Sequence, residues 1–168
     1  YGTITNADVI NTSSTNSVIE LNTAVDAVTT FGGLVGYNSG GYITNSRVGR
    51  TNHTYMETAS ENYHEVSFKA KGNVAGFAAY NSGIITNSYT AYLTIENTST
   101  SNINTKTAGF VGMNMDSAEI SYSFTEGLQT SMNNRVIGAG GLTAVGNIGG
   151  LVHSNMGLIT DGYSNIPI

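Results

Sequence analysis

Apolar residues follow two rhythms along this chain. In EVSFKAK (65–71) and AYLTIEN (91–97) they alternate with polar ones at period two, the pattern of a half-buried strand. Elsewhere they come in short clusters beside glycine, as in GGLVGYNSGGYITNSRV (32–48). That stretch reads as a short strand (GLVGY), a turn (NSG) and a second short strand (YITNSRV). No stretch shows the 3.6-residue spacing of an amphipathic helix, and 21 glycines argue against one.

The cluster recurs. AGFAAYNSGIITNSYT (75–90), AGFVGMNMDSAEISYSFT (108–125) and GGLVHSNMGLITDGYS (149–164) follow the same order as 32–48, and a partial copy occupies 1–9. Gly33, Gly76, Gly109 and Gly150 align, followed by Leu34, Phe77, Phe110 and Leu151. Asn38, Asn81, Asn114 and Asn155 form a column of identical residues, as do Ile43, Ile85, Ile120 and Ile159, joined by Ile4. Ser46, Ser88 and Ser123 come next, then Arg47, Tyr89, Phe124 and Tyr163.

The aligned glycines are 43, 33 and 41 residues apart, yet the step from Gly to Ile stays at 10, 9, 11 and 9. A fixed piece thus alternates with a variable one, as in a stacked repeat with loop insertions. One unit cannot bury its own apolar face. Stacking units about 4.8 Å apart pairs their backbones and lines the Ile and Leu/Phe columns along a shared interior. An Asn column can bond to its own turn and to the Asn of the next turn, and glycine relieves crowding where the chain bends or takes positive φ. The expected fold is all-β: a right-handed parallel β-helix, or β-solenoid, of about four coils with loop insertions. It is expected to form one domain over 1–168, cut from a longer chain, because the first copy starts in mid-repeat.

Composition narrows the function. Charged residues are only 10 % of the 168, and Gly, Asn, Ser and Thr take their place. With no cysteine, disulfides and thiolate metal sites are excluded. A net charge of −5 argues against nucleic acid as a partner. No apolar run is long enough for a membrane span, and the first residues do not read as a signal peptide.

Chemistry-bearing patterns are sparse. HEVSF (64–68) resembles the start of a zinc helix, but Phe68 stands where the second His is required. His53 and His64, with Glu57, Glu61 and Glu65, read as a solvated polar loop, and His153 replaces a repeat glycine at an expected coil corner. Asp116 and Glu119 straddle one turn, while the other acids are scattered rather than converging on a groove. Ser39 in GYNSG (36–40) is misplaced for a nucleophile elbow, and GAGGLTAVG (138–146) lacks the lysine of a phosphate loop. No catalytic residue, metal ligand or cofactor is predicted. The candidate binding surface is aromatic: Tyr37 and Tyr80 share one column, Tyr89 and Tyr163 another. The pattern leaves open whether these columns face in or out, although a corner at Asn87 is favoured.

The phrase G-G-L-V-G-x-N-x-G-x-I-x-N-S, carried by Gly32, Gly33, Leu34, Val35, Gly36, Asn38, Gly40, Ile43, Asn45 and Ser46, resembles the GLUG repeat of bacterial surface proteins. The later copies depart from it at Ala78 and Ala79, at Met115, Asp116 and Tyr122, and at His153 and Asp161. The resemblance implies a secreted or cell-surface protein, such as a filamentous adhesin. It also admits the non-catalytic, substrate-positioning part of a large zinc peptidase that cuts immunoglobulin A. The motif itself contains no catalytic residue. The expectation is an extracellular stalk or adhesive surface whose partners are a host protein or glycan and neighbouring domains of the same chain. A carbohydrate-active β-helix enzyme ranks behind both.

Overall fold

A computed structural model describes residues 2–10, 17–21, 29–49, 66–99, 105–126, 135–137 and 147–165. Among these the protein is all-β, without a helix, and every strand pair is parallel. The strands form five sheets, each taking one strand per repeat in sequence order, and none closes into a barrel. The first sheet stacks Thr3–Thr5, Tyr42–Thr44, Ile84–Thr86, Glu119–Ser121 and Leu158–Thr160. The second stacks Asp8–Val9, Arg47–Gly49, Tyr89–Ala91, Phe124–Glu126 and Tyr163–Asn165. The third holds Ser17–Glu20, Val66–Ala70, Leu93–Asn97 and Arg135–Ile137, and the fourth Thr30–Gly32, Asn73–Ala75, Lys106–Ala108 and Asn147–Gly149. The fifth holds Val35–Asn38, Ala78–Asn81, Val111–Asn114 and Val152–Asn155. Recurrence in sequence has become adjacency in space, the arrangement of a β-helix.

Register follows the sequence columns. Ile4, Ile43, Ile85, Ile120 and Ile159 lie opposite one another across the first sheet. Phe77 stacks on Phe110 with centroids 4.6 Å apart, and Phe31 packs on Phe68 at 5.2 Å. Phe68, Phe77 and Phe110 are fully buried. Each contributes about 1.5–3 kcal/mol relative to an exposed ring, and each sits where a neighbouring turn supplies another apolar group.

Two reasons govern the special backbone positions. At Gly33 and Gly76 the reason is close approach: an added Cβ would lie 2.1 Å from the carbonyl oxygen of Gly76 and Gly109, respectively. Positive φ is not involved there; among the described glycines it occurs at Gly40, Gly49 and Gly72. At the end of the first sheet the reason is the turn. Asn6, Asn45, Asn87, Tyr122 and Asp161 all adopt the left-handed conformation, with φ of 56°, 49°, 47°, 48° and 51°. That corner breaks YITNSRV into two strands of different sheets, where the sequence pattern suggested one. Asn tolerates this conformation better than most side chains, and a bulky residue such as Tyr adopts it only under strain.

The serines after the corner are internal fasteners. Ser46, Ser88 and Ser123 are buried, and each hydroxyl donates to the carbonyl two residues back, at 2.8–2.9 Å. The same oxygens accept backbone N–H groups of Ala7, Ser46 and Ser88 from the turn before, at 3.1–3.3 Å. A hydroxyl buried without such partners would cost about 1–3 kcal/mol.

Candidate functional site

The asparagine column is a continuous hydrogen-bonded ladder. Asn38 donates to Asn81, Asn81 to Asn114, and Asn114 to Asn155, each from Nδ2 to Oδ1 at 2.8 Å. Asn81 also caps its own turn, donating to the Gly83 carbonyl and accepting the Gly83 N–H, both at 3.2 Å. Asn38, Asn81 and Asn114 are buried, so their amide capacity is spent inside the fold. Such a ladder holds parallel strands in register, and its three buried members leave no group for a ligand.

The tyrosines lie differently. Tyr37 is exposed and Tyr80 half-buried, side by side on the outer face of the fifth sheet, with edge-to-face rings 6.0 Å apart. Asn73 donates to the Tyr80 hydroxyl at 2.6 Å, and the Tyr37 hydroxyl lies 3.9 Å from the Met115 sulfur. Tyr37, Tyr80 and Met115, together with Thr30 and Gly36, line an apolar recess of about 540 Å³.

On the second sheet, Tyr89, Phe124 and Tyr163 form a single stack. Centroids are 5.0 and 4.9 Å apart, and the planes are parallel to within 3°. Thr90 and Thr125, the next residues along their strands, are buried, so the rings stand on the outer face. The stack continues into Arg47 and Asp8, paired at 2.7 Å, with Arg47 also donating to the Tyr89 hydroxyl at 3.4 Å. Those two hydrogen bonds, Tyr89 first and Asp8 second, raise the Arg47 pKa against the opposing effect of burial. At the other end the Tyr163 hydroxyl donates to Glu126 at 3.3 Å.

Beside this column runs the left-handed corner, and the two enclose a cleft of about 360 Å³ lined by Asn6, Asp8, Asn45, Arg47, Asn87 and Tyr89. Asn6, Asn45 and Asn87 are exposed. Sequence reasoning singled out Tyr89 as a binding residue, set Arg47 in its column and favoured a corner at Asn87, but did not join them with Asn6, Asp8 and Asn45 into one site. The signal was available: an Asn follows Ile-Thr at 6, 45 and 87, two residues before Asp8, Arg47 and Tyr89.

The remaining candidates are dispersed. Phe68 lies buried in the strand Val66–Ala70, while His53, His64, Glu57, Glu61 and Glu65 lie outside the described residues. His153 sits within the strand Val152–Asn155, not at a coil corner, and its Nδ1 is 2.7 Å from the Ser154 hydroxyl. Burial first, and the positive charge of Lys106 second, lower its pKa. Asp116 occupies a turn closed by a hydrogen bond from Ala118 N–H to the Met115 carbonyl, and Glu119 opens the next strand. Among the described residues no three His, Asp or Glu side chains gather where they could hold a metal ion, and no helix is long and apolar enough to cross a membrane. Comparison of the chain with protein-family models, with curated proteins and with solved structures finds no match.

Proposed function

We propose that the chain is a non-catalytic extracellular repeat domain, a stalk or adhesive surface of a GLUG-like bacterial surface protein. In this reading it is a right-handed β-helix of about four coils. One observation supports the reading most: the outer column Asp8, Arg47, Tyr89, Phe124 and Tyr163, in which every turn after the first adds one large side chain to an unbroken stripe. The Asn, Ser and Ile columns are consumed in holding strands together. This one faces solvent, with Tyr163 half exposed. Aromatic and Arg side chains on a rigid surface are the usual anchors of protein and glycan recognition.

The test is a binding screen of the purified chain against arrays of extracellular proteins and glycans. It is repeated with Phe124→Ser plus Tyr163→Ser, and alongside a search for turnover of the same compounds. Selective capture that weakens in the double variant is expected. Reproducible cleavage of a polysaccharide or protein by the chain would overturn the non-catalytic reading, and capture indifferent to the double variant would overturn the role of this column.

A further inference from the structure

We infer that the cleft at the left-handed corner is a binding groove for a neutral polysaccharide lying along the stacking axis. This deepens the adhesive reading and rests on it. The groove repeats. Asn6, Asn45 and Asn87 occupy the same corner in consecutive turns, about 4.8 Å apart, with nearly equal φ of 56°, 49° and 47°. The same backbone conformation at each step sends each side chain off in a similar direction. Inter-turn backbone hydrogen bonds fix the corners, from Asn6 N–H to Thr44 O and from Asn87 N–H to Ser121 O, both at 3.2 Å. A row of equivalent amides on a rigid frame suits a ligand that itself repeats. A single small molecule would use one row and leave the others idle.

The lining chooses the class. Each amide offers two donors and an acceptor, the complement of vicinal hydroxyl groups. Asp8 and Arg47 are paired, so the charged part of the lining is neutral in sum, and the chain carries −5 overall. Both features disfavour a polyanion. Every lining residue carries an amide, a charge or a phenol, and an apolar ligand would cover these groups without partnering them. Tyr89 carries Phe124 stacked on one face and Arg47 beside it in the preceding turn, so recognition here works through hydrogen bonds and the ring edge, not by stacking a sugar on an open ring.

The left-handed backbone alone favours Asn at these corners, so identity at 6, 45 and 87 does not by itself argue for a ligand. The two demands can be separated. Glycine meets the backbone requirement and removes the amide. Asn45→Gly plus Asn87→Gly keeps the corner while emptying two rows of the groove.

Isothermal titration of the purified chain decides the matter. The probes are β-1,4-linked hexasaccharides of glucose, mannose and N-acetylglucosamine, a hexamer of galacturonic acid, and an uncharged Ser-Asn-Gly repeat peptide. At least one neutral hexasaccharide is expected to bind saturably, more tightly than the acidic hexamer or the peptide. The affinity should fall about tenfold or more in the double glycine variant, the loss of one to two amide hydrogen bonds, with the urea midpoint nearly unchanged. Neutral sugars failing to bind, the peptide or acidic hexamer binding better, or affinity surviving the double variant would each overturn the groove. If sugar binding instead disappears with Tyr37→Ser plus Tyr80→Ser, the groove falls but the adhesive reading stands. If a neutral hexasaccharide binds in the groove and is cleaved, the groove stands and the non-catalytic reading falls.

Discussion

Two columns of asparagine run along this molecule a few residues apart, and the fold treats them in opposite ways. Asn38, Asn81 and Asn114 point inward, are buried, and pass a hydrogen bond from amide to amide along the axis. Asn6, Asn45 and Asn87 stand exposed at a corner, chosen for a backbone conformation rather than for what their amides touch. The same side chain is in one place a substitute for apolar core and in the other a turn residue left facing solvent. What separates them is burial. An amide without water must find every partner within the protein, whereas an exposed one is available to whatever arrives.

The sharpest way to break that comparison is to remove one amide from each column. Asn81→Leu keeps the branched outline and the number of side-chain heavy atoms, with more bulk, but strips Asn38 of an acceptor, Asn114 of a donor and the Gly83 N–H of its cap. Leaving two or three buried polar groups unsatisfied should cost about 3–5 kcal/mol. Asn87→Gly should cost less than about 0.5 kcal/mol, because glycine accepts the left-handed conformation without a Cβ penalty and the amide was exposed. Urea unfolding of the two variants checks this. Comparable midpoints for both would mean that the buried ladder does not hold the stack together.

A smaller effect of opposite sign sharpens the corner column. Tyr122 holds φ of 48° where three other turns use Asn, and its ring is 61 % exposed, so little packing offsets the strain. Tyr122→Asn is expected to stabilise the protein by about 1 kcal/mol. A raised thermal midpoint checks it; a lowered one would show that the ring, not the corner, matters at that turn.

Much of this was legible in the sequence because a repeat states its own geometry. The Ile and Asn columns, the strand at 66–70 and the corner at Asn87 are all side chains whose type answers to one local demand, so they recur and align. The five-sheet arrangement was less legible: hydrophobic alternation runs YITNSRV together as one strand, and only the repeat, by aligning Asn45 with the corner at Asn87, marks the left-handed residue that divides it. The cleft was harder still. Its lining alternates along the sequence but also changes from turn to turn, from Asp8 to Arg47 to Tyr89. The identical half, Asn6, Asn45 and Asn87, is a column the repeat offers, but nothing in the pattern shows that it shares a cleft with the differing residues beside it.

The smallest effect lies at the far end of the ladder, in the last turn. Asn155 is exposed there, and His153 stands where earlier turns place Gly36, Ala79 and Gly112 in the same row. Partial burial, helped by Lys106, holds the His153 pKa below 6.5 in the folded state. Above that pH the imidazole is neutral whether the chain is folded or not, and its contribution to stability is complete. As pH falls through about 6.5 the unfolded chain takes up the proton first. Stability therefore declines, and stops declining once the pH is below the folded pKa. His153→Gln removes this group while leaving His53 and His64 in place, so their titration cancels in the difference. Urea midpoints of the two proteins between about pH 8 and about pH 5 should show the native protein losing ground to His153→Gln as acid is added. The opposite slope would mean that His153 gains a partner for its charge on folding, and that the last turn is less buried than the row it extends.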